Sequence, residues 1–202
     1  MTVPLIATNI LTLKYYIQKI IIRGKGDFMN YGITEKLIKN NRPGEKLFPR
    51  GVVVHSTDNK GATAENHYNY WNNNACAKSS AHYVIDWKSI IRLIPENEIA
   101  WHAGKLTNQR FIGIEICEPF NGETGKFIEA WKRAVWLTAS LCIKYNWTTV
   151  NNVYSHYGVS RIFRESNHTD PYGYFARFYK SWNIFLYEVD TEIINQETLK
   201  KR

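Results

Sequence analysis

Apolar positions change their spacing several times along this chain, and each change predicts an element. The run Gly51-Val52-Val53-Val54-His55 is short, continuous and apolar, which predicts a buried strand. Residues 63–73 carry helical spacing, with Thr63 as the N-cap. Two β-rich runs come next, AHYVID (81–86) and SIIRLI (89–94), joined by Trp87-Lys88 and expected to form a hairpin. After them stand EIAWHAG (98–104) and FIGIEICEP (111–119), a further strand. In the latter, Ile112, Ile114 and Ile116 alternate with Gly113 and Glu115, so the glutamate faces away from the isoleucines. Phe127, Trp131, Ala134, Val135, Thr138, Leu141, Cys142 and Tyr145 recur at helical intervals over 126–145. A second stripe of that spacing is Phe175, Phe178, Trp182, Phe185 and Val189, read as core packing. Strands mixed with helices imply an α/β domain: a central mixed β-sheet flanked by helices, in a single domain.

The length of 202 residues suits one domain, and 44% hydrophobic against 22% charged residues is enough to bury a core. No internal repeat or Gly/Ser linker divides the chain. Residues 1–28 differ in texture from the rest of the chain and form an N-terminal extension. Its apolar stretch is interrupted by Lys14 and Lys19, so no membrane span is expected, and it lacks the parts of a signal peptide. Residues 29–190 are expected to be the working domain, and 191–202 a polar tail. Cys76, Cys117 and Cys142 are odd in number and widely spaced, which fits neither a disulfide framework nor a cysteine zinc site. Cys117 and Cys142 lie in apolar runs and are expected to be buried. The net charge of +8 favours anionic partners, including wall polymers. No basic block interleaved with aromatics accompanies it, and no finger, RNP or helix-turn-helix spacing, so nucleic acid is not expected as a partner.

Six histidines are the main reservoir of chemistry. His55 closes a buried strand, where a sheet opens to solvent and sites often form. His156 comes after a short β-like run in VYSHYGVS. Asp170, in HTDP, precedes Pro171, which favours extended backbone. Two imidazoles and a carboxylate could make a three-ligand zinc site with an open fourth position. Glu115 either has a salt-bridge partner or faces a functional cavity, because ionised carboxylates are seldom buried alone. His102 is expected at the rim of a substrate groove. His82 is a second groove candidate, with a core histidine bonded to backbone as the alternative. Thr57, just beyond His55, is a further substrate-contact candidate. His67 reads as a surface residue of the helix over 63–73.

The ordered set VVVHST, SSAHYVID, AWHAG, IGIEI, VYSHYGVS and HTDPYGYF, over about residues 45–180, closely resembles the zinc-dependent N-acetylmuramoyl-L-alanine amidases. That family includes phage endolysins and bacterial autolysins, and animal peptidoglycan recognition proteins share its fold. The resemblance implies Zn2+ held by His55, His156 and Asp170, with Glu115 as the acid/base or water-orienting residue. The implied substrate is bacterial peptidoglycan, cut between N-acetylmuramic acid and L-alanine. Many members carry lysine where this chain has His168. That residue is therefore expected either to replace the lysine as a cationic stabiliser or to compete with Asp170 as a ligand, and the position before proline favours Asp170. The loop around RIFRESN is longer than in many members.

A recognition module without catalysis is the main alternative, but such relatives typically lose a ligand, and here every ligand position is filled. A glycosidase with Glu115 and Glu118 as paired carboxylates is the second, disfavoured because strand alternation would turn them to opposite faces. The expected location is the cytoplasm until release to the wall, in the manner of an endolysin, or outside the cell after secretion. The sequence leaves the oligomeric state unassigned. The change of texture at Met29 suggests that translation starts there. Mass spectrometry of the native protein would then find no peptide from residues 1–28, and such a peptide would refute the idea.

Overall fold

The computed structural model of the chain describes residues 30–200, so the extension expected over 1–28 lies outside the described residues. Residues 31–200 contain a six-stranded mixed sheet. Its strands are β1 (Ile33–Glu35), β2 (Val52–Ser56), β3 (Tyr83–Ile85), β4 (Ile90–Arg92), β5 (Ile112–Ile116) and β6 (Val153–Ser155), in spatial order β1-β4-β3-β5-β2-β6. Only β3 and β4 pair antiparallel, as the hairpin; the other neighbours are parallel. The hairpin loop is held by Asp86, whose carboxylate accepts from the backbone N–H of Lys88 and Ser89 on one oxygen and of Ala64 on the other. One side chain thus sets both the turn and the start of the next layer.

The helices are α1 (Ala64–Asn73), α2 (Lys105–Asn108), α3 (Thr124–Tyr145), α4 (Thr149–Asn152), α5 (His156–Phe163), α6 (Tyr172–Ala176) and α7 (Trp182–Lys200). Helix α1 begins at Thr63 as expected. The Thr63 hydroxyl accepts from the Asn66 N–H while the Asn66 side chain accepts from the Thr63 N–H, which satisfies two donors that an uncapped helix leaves bare.

Strand alternation sorts the apolar residues into layers. Val52, Val54, Tyr83, Ile85, Ile112, Ile114 and Ile116 point to one face, where α3, α6 and α7 cover them through Phe127 and Trp131, Phe175, and Phe185 respectively. Fully burying each such aromatic contributes about 1.5–3 kcal/mol, so this layer anchors the domain. On the other face, Val84 and Ile91 pack with Ala64 and Trp71 of α1, and Val53 packs with Phe111 and Val159 of α5. These are two separate clusters, and the site lies in the gap between them.

Three expectations change. The stripe from Phe175 to Val189 is two helices, because the chain turns at Tyr179 with φ 58°. All five residues still reach the main core, so the spacing reported burial correctly but not helix continuity. Residues 191–200 are no loose tail: α7 continues through them, Ile193 packs on the core and the Gln196 amide donates to the Trp136 carbonyl at 3.2 Å. Residues 98–104 are irregular apart from a bridge between Glu98 and Lys46. Cys117 and Cys142 are buried and Cys76 is exposed. Among the described residues no helix is long and apolar enough to cross a membrane.

Candidate active site

Parallel pairing of β2 with β5 sets His55 opposite Glu115. Both belong to the alternate set that faces away from the α3–α7 layer, so both side chains emerge in the gap between α1 and α5. β6 lies on the other side of β2, and the chain turns from it directly into α5. Ser155 caps that helix by accepting from the Gly158 N–H, which places His156 at the first helical position, beside His55. The segment after α5 returns over the same end of the sheet. The Tyr157 N–H donates to the Asp170 carbonyl at 3.1 Å, and the Ser56 N–H reaches the Asp170 carboxylate at 3.3 Å.

Three elements thereby bring His55, His156 and Asp170 together, with one donor atom of each within 4.8 Å of the others. His55 Nδ1 and His156 Nδ1 are 3.0 Å apart. Each lies close to the carboxylate, at 3.4 Å and 3.0 Å. A tetrahedral ion with ligand bonds of about 2.0–2.2 Å needs donors roughly 3.3–3.6 Å apart; one separation lies in that range and the other two fall a few tenths of an ångström short, so the donors would spread slightly to admit an ion.

The proton network supports the same reading. The Phe111 carbonyl can only accept, so His102 Nε2, 3.0 Å away, donates to it. His102 Nδ1 is then an acceptor, and His55 Nε2, also 3.0 Å away, donates to that atom. A neutral His55 therefore turns a bare lone pair at Nδ1 towards the cluster. His156 Nε2 lies 3.2 Å from the Ser166 hydroxyl, itself 2.6 Å from that of Ser160. With His156 donating there, its Nδ1 is a second lone pair. Two lone pairs and a carboxylate facing one another call for a cation. Burial lowers the His55 pKa, against the pull of Asp170, and so keeps the imidazole neutral. Burial alone would raise the Asp170 carboxyl, but a positive charge among the donors facing it, such as a proton on an imidazole, outweighs that and holds the group well below the usual carboxylate range. A proton on His156 could meet Asp170 in part, but His55 has none to spare, because its own is on Nε2.

Glu115 lies beside this cluster, on the wall of a cleft of about 1100 Å³ that the cluster also lines. Its Oε2 is buried without a hydrogen-bond partner, as is Thr57 Oγ1 on the same wall. Burial pushes the Glu115 carboxyl well above its ordinary range, and the negative charges of Asp170 and Glu118 add to that. A carboxylate with no salt bridge, facing a cleft, is held ready to exchange a proton.

The remaining candidates divide. His168 stacks on His156 with ring centroids 4.5 Å apart, but its side chain is 62% exposed and it lies outside the three-donor group. Its place is the rim of the cleft. His102 lines the cleft, but both its nitrogens are engaged, so it orients His55. His82 is not brought to the cleft. It is fully buried, accepts from the Gly113 N–H and donates to the Glu98 carbonyl, which leaves no atom for a substrate. The alternative of a core histidine is the one the structure displays. His67 is buried against Trp71 on the cleft wall, not on the surface. Glu118 lines the cleft along with Glu115, because the strand and its alternation end at Ile116. Glu118 is committed to an ion pair with Arg177 and accepts from the Asp58 N–H, so it is no free partner for a two-carboxylate mechanism. Lys60, Lys78 and Trp101, which the sequence did not single out, also line the cleft; they sit in irregular segments where no periodicity marks a direction.

A buried His-His-carboxylate cluster with a glutamate beside it, at the open end of a mixed sheet, defines a candidate metallohydrolase centre. Residues 44–173 match the family model for N-acetylmuramoyl-L-alanine amidase. The chain is 38% identical over 119 residues to the amidase XlyA of Bacillus subtilis (strain 168), an alignment spanning 56% of this chain and 39% of that protein. It is 34% identical over 147 residues to the amidase CwlL of Bacillus licheniformis, spanning 63% of this chain and 40% of that one. The solved catalytic domain of XlyA superposes with a TM-score of 0.65 at 31% identity, covering 78% of this chain and 99% of that domain. The chain belongs to the N-acetylmuramoyl-L-alanine amidase family. It spans about two fifths of the length of the two full-length relatives.

Gly113 is the tightest packing point under the site. A Cβ there would meet His102 Cγ at 2.4 Å. Gly113→Ala is expected to destabilise the protein by about 1–3 kcal/mol, as overpacking does, and to move His102 off His55. Denaturant unfolding reads the first effect. Unchanged stability would show that the ring relaxes freely.

Proposed function

We propose that the chain hydrolyses the amide between N-acetylmuramic acid and L-alanine in bacterial peptidoglycan, using Zn2+ held by His55, His156 and Asp170. The observation that carries this reading is the convergence of two imidazole lone pairs and a carboxylate beside an unpartnered glutamate, in a chain of the amidase family. Bound zinc supplies Lewis-acid chemistry: it polarises a carbonyl oxygen and lowers the pKa of water towards about 7.

The chain's own residues account for the proton movements. Glu115 takes a proton from the water that attacks the carbonyl carbon, and passes it to the alanine nitrogen as the C–N bond breaks. The products are a carboxylate on the lactyl group and a free amino terminus. Glu115 Oε2, unpartnered on the cleft wall, is free for both halves of that transfer. Thr57 Oγ1, buried without a partner on the cleft wall, is available to the substrate backbone. His168, at the rim, takes the role of cationic stabiliser for the developing oxyanion. His102 holds the His55 tautomer and so acts on the ligand, not on the substrate.

Digestion of purified peptidoglycan should release new amino termini on alanine without new reducing sugars, and a chelator should stop it. New reducing ends would instead make the protein a glycosidase. Glu115→Gln should keep zinc and lose turnover by at least about 100-fold; zinc loss in that variant would mean that Glu115 is misassigned.

Calorimetric titration with Zn2+ separates the third ligand from its neighbour. Asp170→Ala should weaken binding by more than the roughly 10–100-fold that loss of an outer-shell partner costs. His168→Ala should change it little. The opposite pattern would make His168 the ligand.

A further inference from the structure

A second pocket, of about 440 Å³, opens beside the cleft on the α5 side. It shares Ser166, Asn167 and His168 with the cleft, so the two adjoin across that segment. Arg161 and Arg164 form its basic wall, three positions apart at the end of α5. No carboxylate lines it. The nearest acid in sequence, Glu165, is turned away: its carboxylate accepts from the backbone N–H of Leu106 at 2.9 Å and of Thr107 at 3.3 Å, at the start of α2. That contact, and the Ser160–Ser166 hydroxyl pair, tie the loop down at both ends of the pocket.

The two arginines also differ from most others in the fold. Arg42, Arg92, Arg133 and Arg177 each meet a carboxylate. Among the described residues, the side chains of Arg161 and Arg164 have neither an ion pair nor a hydrogen bond. Two guanidinium groups without a partner, in a concave wall with hydroxyl and amide donors, form a receptor for an oxyanion. Because the pocket adjoins the cleft at the segment that leads to Asp170, one molecule held in the cleft can reach it with a flanking group.

We propose that this pocket binds a carboxylate of the peptide portion of the substrate, so that Arg161 and Arg164 determine specificity for acidic over amidated peptides. The proposal rests on the amidase reading for the identity of the peptide, but the pocket itself stands on its own lining.

The test compares N-acetylmuramoyl tetrapeptide with its carboxylates free and the same compound with every carboxylate converted to carboxamide. The proteins are the zinc-loaded wild type and the double variant Arg161→Gln, Arg164→Gln. Both arginines are exposed, and thermal melting checks that the variant stays folded. For the free acid, KM should rise about 10-fold in the variant with kcat unchanged, the size expected for a lost charge-assisted contact. For the amide, KM should be the same in both proteins. An equal rise for both substrates, or none for the acid, overturns the proposal. Calorimetric titration of the same two peptides reads the pocket without requiring turnover. If neither is cut but the wild type alone prefers the acid, the carboxylate site holds and the amidase reading fails. If the wild type binds both equally, or neither, the carboxylate site fails.

Discussion

The in-register parallel pairing of β2 with β5 is the constraint on which the site depends. It places His55 and Glu115 side by side on one face of the sheet, while the valines and isoleucines between them point to the other. A slip of one residue by either strand would send its own polar group into the α3–α7 core and its isoleucines or outer valines to the cleft face. Register is therefore fixed by the cost of burying a charge against the benefit of burying isoleucine. The fully buried Val52, Val54, Ile112 and Ile114 hold it.

A polar network grows outward from that pair, and its geometry explains the placing of histidines that look scattered in sequence. The Phe111 carbonyl orients His102, and His102 orients His55. His82 takes the Gly113 N–H and secures the strand beneath. Gly113 has no Cβ, which makes room for the His102 ring. Buried polar groups are costly unless each finds a partner. Around the site most nitrogens have one, and the atoms left over there are Nδ1 of His55 and of His156, which face the Asp170 carboxylate, together with Glu115 Oε2 and Thr57 Oγ1.

Charge is distributed in the same spirit. Several basic side chains of the described residues gather around the cleft and its neighbour. Lys60 and Lys78 line the cleft, and Arg161 and Arg164 line its side pocket. Arg177 is neutralised by Glu118 and serves the cleft wall as structure.

Strands β2 to β6, the helix α3, the capping of α1 and the core membership of the aromatic stripes were legible in the sequence, because burial imposes a period and local chemistry marks the ends; β1 and the true extent of α7 were not. The polar face of β5 was legible for the same reason, which singled out Glu115. His55, His156 and Asp170 could be named as a set from motif order, but their convergence was not a local property. It depends on β2 lying between β5 and β6, and on a return loop crossing the end of the sheet. The break at Tyr179, the burial of His67 and the turning of Glu118 into the cleft were equally invisible, since each depends on where a strand or helix ends in three dimensions. His82 and His102 show the division most clearly. Both stand in similar β-rich motifs, and sequence offered each to the substrate. Only the tertiary structure decided that one is locked in the core by backbone partners while the other is bonded to His55, because a histidine's role is set by what its two nitrogens meet, and those partners come from distant parts of the chain.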